Sequence, residues 1–180
     1  MSLPPNRNLL KEFLNPCFME SGSYRGDSIQ LAVEAGFEKI ISIDNDPTAI
    51  AFCKNRFDLV NKKNHQITLI EGDSANDLWP IIKDIQTQMT LFLDSHFQML
   101  EGTEKGKNPF PLLKELDQIA QHPIKTHTII IDDLLYLTHP DITGWTRQEI
   151  VSKLISINVN YQINLFANPV INNMLVAWIP

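Results

Sequence analysis

Short apolar runs that end in a carboxylate recur along this chain: Phe18-Met19-Glu20, Ser42-Ile43-Asp44, Leu69-Ile70-Glu71, Phe92-Leu93-Asp94 and Ile130-Ile131-Asp132. Each run has strand length, and longer amphipathic stretches separate them. Strands alternating with helices pack as parallel βα units, because each helical crossover returns the chain to the same edge of the sheet. The acids therefore arrive at one rim. That rim is where open α/β sheets bind ligands.

The other elements fit around this frame. Residues 9–14 read as a short helix stopped by Asn15-Pro16, and residues 27–34 as a helix closed by Gly36. Pro47 opens a helix reaching about residue 60, and further helices are expected over 77–86, 111–121 and 147–157. The helix over 111–121 shows an apolar stripe of Leu112, Leu113, Leu116 and Ile119. Strands are expected over 17–20, 39–43, 66–70, 89–93 and 126–131, the last rich in β-branched residues as if buried on both faces. Residues 161–167 and 174–179, separated by an Asn/Pro-rich turn, read as an antiparallel hairpin. The expected fold is α/β: a Rossmann-like three-layer sandwich whose seven-stranded, mostly parallel sheet ends in that hairpin. With 180 residues and no tract resembling a linker, residues 1–180 read as a single domain.

Charge and composition narrow the partners. Apolar residues at 43% support a buried core, and a net charge of −6 disfavours general affinity for nucleic acid. Asn61-Lys62-Lys63-Asn64 is the nearest approach to a basic run and reads as a solvated turn. Cys17 and Cys53 lack CxxC spacing and sit in apolar stretches, as buried free thiols do in a reducing compartment. The N-terminus has no signal-type apolar core, and no stretch approaches the roughly 18 apolar residues that cross a bilayer. The expectation is a cytoplasmic protein with a small-molecule substrate, and neither a membrane nor a nucleic acid as partner.

The loop after the first strand is Glu20-Ser21-Gly22-Ser23-Tyr24-Arg25-Gly26. Gly22 and Gly26 permit a tight turn and close backbone approach to a ligand. The Gly-x-Gly-x-x-Gly spacing that cradles a pyrophosphate is absent, so the loop suits a ligand without phosphate there. Asp44, at the end of the second strand, stands where a carboxylate accepts bonds from ribose hydroxyls. After the third strand, Asp73 in Gly72-Asp73-Ser74 is placed to meet an adenine amino group. Each piece alone reads equally as an ordinary strand-to-helix turn; their order at successive strand ends is what points to a cofactor.

On these residues the chain resembles the class I S-adenosylmethionine-dependent methyltransferases over nearly its whole length. Glu20, Gly22 and Gly26 match the first motif, with Ser23 and Tyr24 between them; Tyr24 departs from the glycine often found there. Asp44 matches the ribose-binding acid and Asp73 the adenine-contacting acid, followed by Ser74. The terminal hairpin agrees, since nicotinamide-binding Rossmann domains end in a parallel strand. The resemblance implies S-adenosylmethionine as cofactor and methyl transfer as activity.

A second group of acids lies at the ends of the fourth and fifth strands: Asp94-Ser95-His96 and Asp132-Asp133. Three carboxylates converging on one rim need a cation or donors to offset their repulsion. Oxygen-rich ligation suits Mg²⁺, Mn²⁺ or Ca²⁺. The arrangement is similar to metal-dependent O-methyltransferases of the catechol O-methyltransferase and macrolide-sugar types. It implies Asp94, Asp132 and Asp133 as metal ligands, and a small-molecule or sugar hydroxyl as acceptor. Asp94 also borders the cofactor, and His96 reads as a ligand, a general base or a structural residue. Without a metal, Asp132 and Asp133 would cap the next segment while Asp94 binds substrate or cofactor directly. His122 and His127 fall at the opposite end of the fifth strand and read as structural. His139 and Trp145 lie in the following loop, open to substrate or merely to surface and packing roles.

Little chain precedes the first strand to cover a substrate. Residues 97–108 and 134–146 are the remaining candidates for a lid. Either the substrate covers itself, or a second subunit closes the site as in a homodimer, or the fold persists as a catalytically inactive cofactor-binding or interaction protein.

Overall fold

The computed structural model describes residues 7–61, 66–96, 108–167 and 172–180. In chain order its elements are α1 (Arg7–Glu12), β1 (Cys17–Ser21), α2 (Asp27–Ala35), β2 (Lys39–Asp44), α3 (Pro47–Asn61), β3 (Gln66–Glu71) and α4 (Ser74–Ile82). They continue with β4 (Met89–Leu93), α5 (Leu112–Ile119), β5 (Thr128–Ile131), α6 (Leu134–Leu137), α7 (Arg147–Ile157), β6 (Gln162–Ala167) and β7 (Asn172–Trp178). The seven strands form one sheet in the order β3-β2-β1-β4-β5-β7-β6. The first five run parallel, and the β6–β7 hairpin closes the sheet antiparallel against β5.

The alternation of side chains along the strands builds two cores. Met19, Ile41, Leu91, Leu93, Ile129 and Ile131 face α4, α5, α6 and α7. Phe18, Ile40, Phe92, Ile130 and Val176 face α1, α2 and α3. Helices on both faces explain why the central strands are apolar throughout. The β1–β4 step, where chain order reverses across the sheet, opens the crevice at the strands' carboxyl ends.

Local chemistry sets the element ends. Gly36 closes α2 with φ 107 and two backbone bonds to Ala32 and Val33. Helix α4 starts at Ser74, earlier than the sequence pattern indicated, because the Asp73 carboxylate accepts the Ala75 N–H and caps it. A capping box between Thr146 and Glu149 starts α7 where expected. The segment after β5 is not all loop: α6 is a one-turn helix entered through Asp133, which adopts φ 50. Of the candidate lid over residues 97–108, residues 97–107 lie outside the described residues.

At the amino ends of β4 and β5, His122 and His127 form a closed polar pair. His127 Nε2 lies 2.9 Å from His122 Nδ1, and His127 Nδ1 accepts the Met89 N–H at 3.1 Å. His122 Nε2 reaches the carbonyls of Ile82 and Ile85 at 3.2 and 3.1 Å. The pair ties α4, β4 and β5 together, the structural role expected. Cys17 and Cys53 are free and buried, and burial pushes their thiols up to about 11 and about 12. Among the described residues, no helix is long and apolar enough to cross a membrane.

Candidate active site

The glycine loop is shaped by contacts that exclude side chains. Gly22 has φ 92, and its N–H donates to the Ile43 carbonyl at 2.8 Å. A Cβ on Gly22 would lie 2.7 Å from the Asp94 carbonyl oxygen, so conformation and contact both demand glycine. Gly26 has φ 76, and a Cβ there would sit 2.6 Å from the Phe57 ring. Tyr24 takes φ 43 without being glycine. Its N–H donates to Asp44 Oδ2 at 2.9 Å, which holds this uncommon backbone state in place.

Glu20 and Asp44 brace the loop from beneath. Glu20 is fully buried; Ser42 donates to its Oε1 at 2.6 Å and Ser28 to its Oε2. Ser23 Oγ lies 2.5 Å from Ser42 Oγ, extending the chain of hydroxyls to the loop. Burial drives the Glu20 carboxyl up to about 8 despite these donors. Asp44 is half-buried, and its Oδ1 accepts the Asp46 N–H at 2.9 Å. Burial raises its pKa while the backbone N–H groups of Asp46, Tyr24 and Ser23 pull it back.

At the end of β3, Asp73 caps the following helix. Asp73 Oδ1 accepts the Ala75 N–H at 3.0 Å, and Oδ2 accepts from Asn76 Nδ2 at 3.0 Å and Asn108 Nδ2 at 2.5 Å. Its carboxylate is thus engaged in the α4 cap and its neighbours. Ser74, beside it, is buried with an unbonded hydroxyl.

Asp94, His96 and Asp133 come together at the ends of β4 and β5. One ligand atom from each lies within 4.8 Å of the others. His96 Nε2 is 3.2 Å from Asp133 Oδ2, and Nδ1 is 3.6 Å from Asp94 Oδ1. The imidazole side chain is only 2% exposed and packs on Tyr136, with ring centroids 5.2 Å apart. Metal bonds of about 2.1 Å place adjacent octahedral ligands about 3 Å apart and opposite ones about 4.2 Å apart. The two carboxylates face different nitrogens of His96, and the 4.8 Å spread exceeds the separation of opposite ligands, so holding one divalent ion would require these side chains to reorient. Asp132 is outside this group: it is fully buried, and its Oδ1 accepts the Asp133 N–H at 2.8 Å. It still acts on the site, because burial and then the charges of Asp132, Asp133, Glu20 and Glu115 hold the Asp94 carboxyl well above its usual range.

Three residues of the rim had no place in the sequence reading. Asn173 of β7 donates through Nδ2 to Asp133 Oδ1 at 2.8 Å and accepts the Leu135 N–H on Oδ1 at 2.6 Å. Tyr136 walls His96 and lies 6.3 Å, centroid to centroid, from Phe110. Glu115 on α5 is buried and pushed up to about 7 by burial. Its signal was present: it lies three residues after Leu112 and four before Ile119, on the apolar stripe rather than opposite it. The other two carried no local signal.

Trp145 meets Phe110 edge-on at 6.4 Å and borders an open cavity of about 540 Å³ that Pro140, Gly144, Arg147 and Val151 also line. None of the rim carboxylates lines that cavity. His139 is exposed and accepts the Asp141 N–H within its own turn at 3.3 Å.

In sequence, no protein-family model and no curated protein matches this chain. Solved structures do. The SAH-bound methyltransferase PaMTH1 of Podospora anserina superposes with a TM-score of 0.64 at 15% identity, covering 97% of this chain and 76% of that one. An O-methyltransferase from Bacillus cereus, in complex with SAH, gives a TM-score of 0.66 at 10% identity over 97% of this chain and 78% of that one. A candidate rRNA methylase from Clostridium thermocellum gives 0.66 at 14% identity, covering 97% of both chains. These superpositions, with the seven-stranded sheet and its antiparallel C-terminal hairpin, give this chain the class I S-adenosylmethionine-dependent methyltransferase fold.

Proposed function

We propose that the protein is an S-adenosylmethionine-dependent methyltransferase acting on a hydroxyl of a small molecule or sugar with the help of a divalent metal. One observation carries this reading: Asp94 touches both halves of the site. Its carbonyl packs on Gly22 of the loop suited to the cofactor, and its carboxylate joins His96 and Asp133. A methyl donor on the loop and an acceptor at the cluster would thus be neighbours.

Asp44 would take the ribose hydroxyls, exchanging its bond to the Tyr24 N–H for them. Glu20 supports the loop through Ser28, Ser42 and Ser23 rather than touching the ligand. Asp94, His96 and Asp133 would hold Mg²⁺, Mn²⁺ or Ca²⁺, which when bound favours the ionised form of an acceptor hydroxyl. Tyr136 and Phe110 shield the His96 side of the cluster from water. The net charge of −6 favours a small acceptor over a polynucleotide.

A second reading needs no metal. Each nitrogen of His96 faces a carboxylate, so a protonated imidazole could bridge Asp94 and Asp133, and a neutral one could accept the acceptor's proton. Calorimetric titration with S-adenosylmethionine, with Mn²⁺ or Mg²⁺ and again with a chelator, separates the two. Saturable cofactor binding with further heat from the metal is expected. Cofactor binding without metal uptake selects the His96 reading, and no cofactor binding sinks both.

A further inference from the structure

Beneath the glycine loop lies a second polar group that the activity above does not use. Glu115 projects from the first turn of α5 and is 1% exposed. The hydroxyls of Ser74, at the start of α4, and Ser21, at the end of β1, face its carboxyl. They are equally buried, at 3% and 0% exposure. Nevertheless Ser21 Oγ, Ser74 Oγ and Glu115 Oε1 complete no hydrogen bond, and neither does Asp94 Oδ1. Ser21 adjoins Asp94 directly, its carbonyl accepting the Asp94 N–H at 3.1 Å. The side chain of Asp94, about a fifth exposed at 21%, gives this group its opening to the crevice.

Buried polar atoms are almost always paired, so several orphans side by side signal a missing partner. The unfilled atoms are oxygens, every one able to accept. The neighbouring charges acting on Asp94 and Glu115 are all acidic. What such a group lacks is a donor with several N–H bonds, preferably cationic. Asp73, expected to meet the adenine amino group, accepts three hydrogen bonds from its own neighbourhood.

We infer that Glu115, Ser21 and Ser74 form a subsite for an amino group of the bound S-adenosyl cofactor, a role that rests on the cofactor reading above. Two amino groups of that molecule fit the chemistry: the α-ammonium of its amino-acid end and the exocyclic amine of its adenine. Glu115 supplies the acceptor, and the two hydroxyls orient it. If the adenine amine is the group bound, the subsite takes the part that the sequence assigns to Asp73.

The test is calorimetry with three probes: S-adenosylhomocysteine, 5′-methylthioadenosine, which lacks the amino-acid end, and S-inosylhomocysteine, which lacks the adenine amine. Glu115→Ala should weaken S-adenosylhomocysteine at least tenfold. If the adenine amine is bound, the same loss appears with methylthioadenosine and vanishes with the inosyl compound. If the ammonium is bound, the pattern reverses. Glu115→Ala with unchanged affinity for S-adenosylhomocysteine overturns the subsite while leaving the cofactor reading intact. A uniform loss across all three probes also overturns it, since it indicates general disruption. Wild-type protein that binds none of the probes overturns both. Should Glu115→Ala not fold, Ser74→Ala removes one oxygen from the same group and must show the same probe-dependent pattern at about threefold or more.

Discussion

Two buried polar groups sit at opposite ends of the central strands and behave in opposite ways. At the amino ends, every ring nitrogen of His122 and His127 has a partner. At the carboxyl ends, Asp94, Glu115, Ser21 and Ser74 each leave a buried oxygen unbonded, and acids crowd one another. Burial depresses His127 to about 4 and raises Glu115 to about 7, so both groups favour their neutral forms. The first group is complete by itself and serves the fold. The second is incomplete, and its deficit describes the ligand it needs.

Deleting one residue from each group separates the two roles. His122→Ala should cost about 4 kcal/mol of stability, from a cavity plus the lost bonds to the carbonyls of Ile82 and Ile85, without altering cofactor affinity. Urea unfolding and calorimetry measure the two; a loss of affinity matching the loss of stability would erase the distinction. Asp94→Asn should do the reverse. We expect cofactor affinity to fall about 100-fold, near 2.7 kcal/mol, while the melting temperature holds or rises because repulsion with Asp132 and Asp133 is relieved.

The two groups should also oppose each other in pH. Between about pH 4 and 6.5 the unfolded chain protonates His127 and the folded one does not, so this residue makes stability rise with pH. Between about pH 4.5 and 7 the folded chain keeps Glu115 protonated while the unfolded one ionises it, so stability falls with rising pH. Glu20 extends that fall to about pH 8. Each of the first two contributes on the order of 3 kcal/mol. Melting curves from pH 4 to 8 should show Glu115→Gln flattening the decline and His127→Gln steepening it. An unchanged profile in both variants would count against burial as the cause.

Smaller effects sharpen the boundary of the rim. Asn173→Ala, which frees the Asp133 carboxylate, should weaken Mn²⁺ binding about tenfold by paramagnetic resonance while S-adenosylhomocysteine affinity stays within twofold. Thr146→Ala, remote from both groups, should cost about 1 kcal/mol through the lost α7 cap and leave binding untouched.

Much of this molecule was legible in order of residues alone. Continuous apolar runs of strand length and strand-end acids give the sheet, its hairpin and the rim, because they report which side chains one strand or helix hides. Gly22 and Gly26 stood out for the same local reason: their φ values exclude side chains whatever surrounds them. Asp94, His96 and Asp133 were individually visible, but their meeting was not. It depends on β4 pairing with β5 and on Asp133 turning into φ 50, where Asn173 from the far hairpin holds it.

The division follows from range. Sequence encodes periodicity and turn chemistry within a few residues, so it determined the elements, their order and the glycine loop. Which acid faces which is decided by strand pairing and by the rotation of each helix on the sheet. Tertiary structure alone therefore drew Asp73 into a helix cap, left Asp132 out of the group of Asp94, His96 and Asp133, and turned Glu115 inward toward two serines with unbonded hydroxyls.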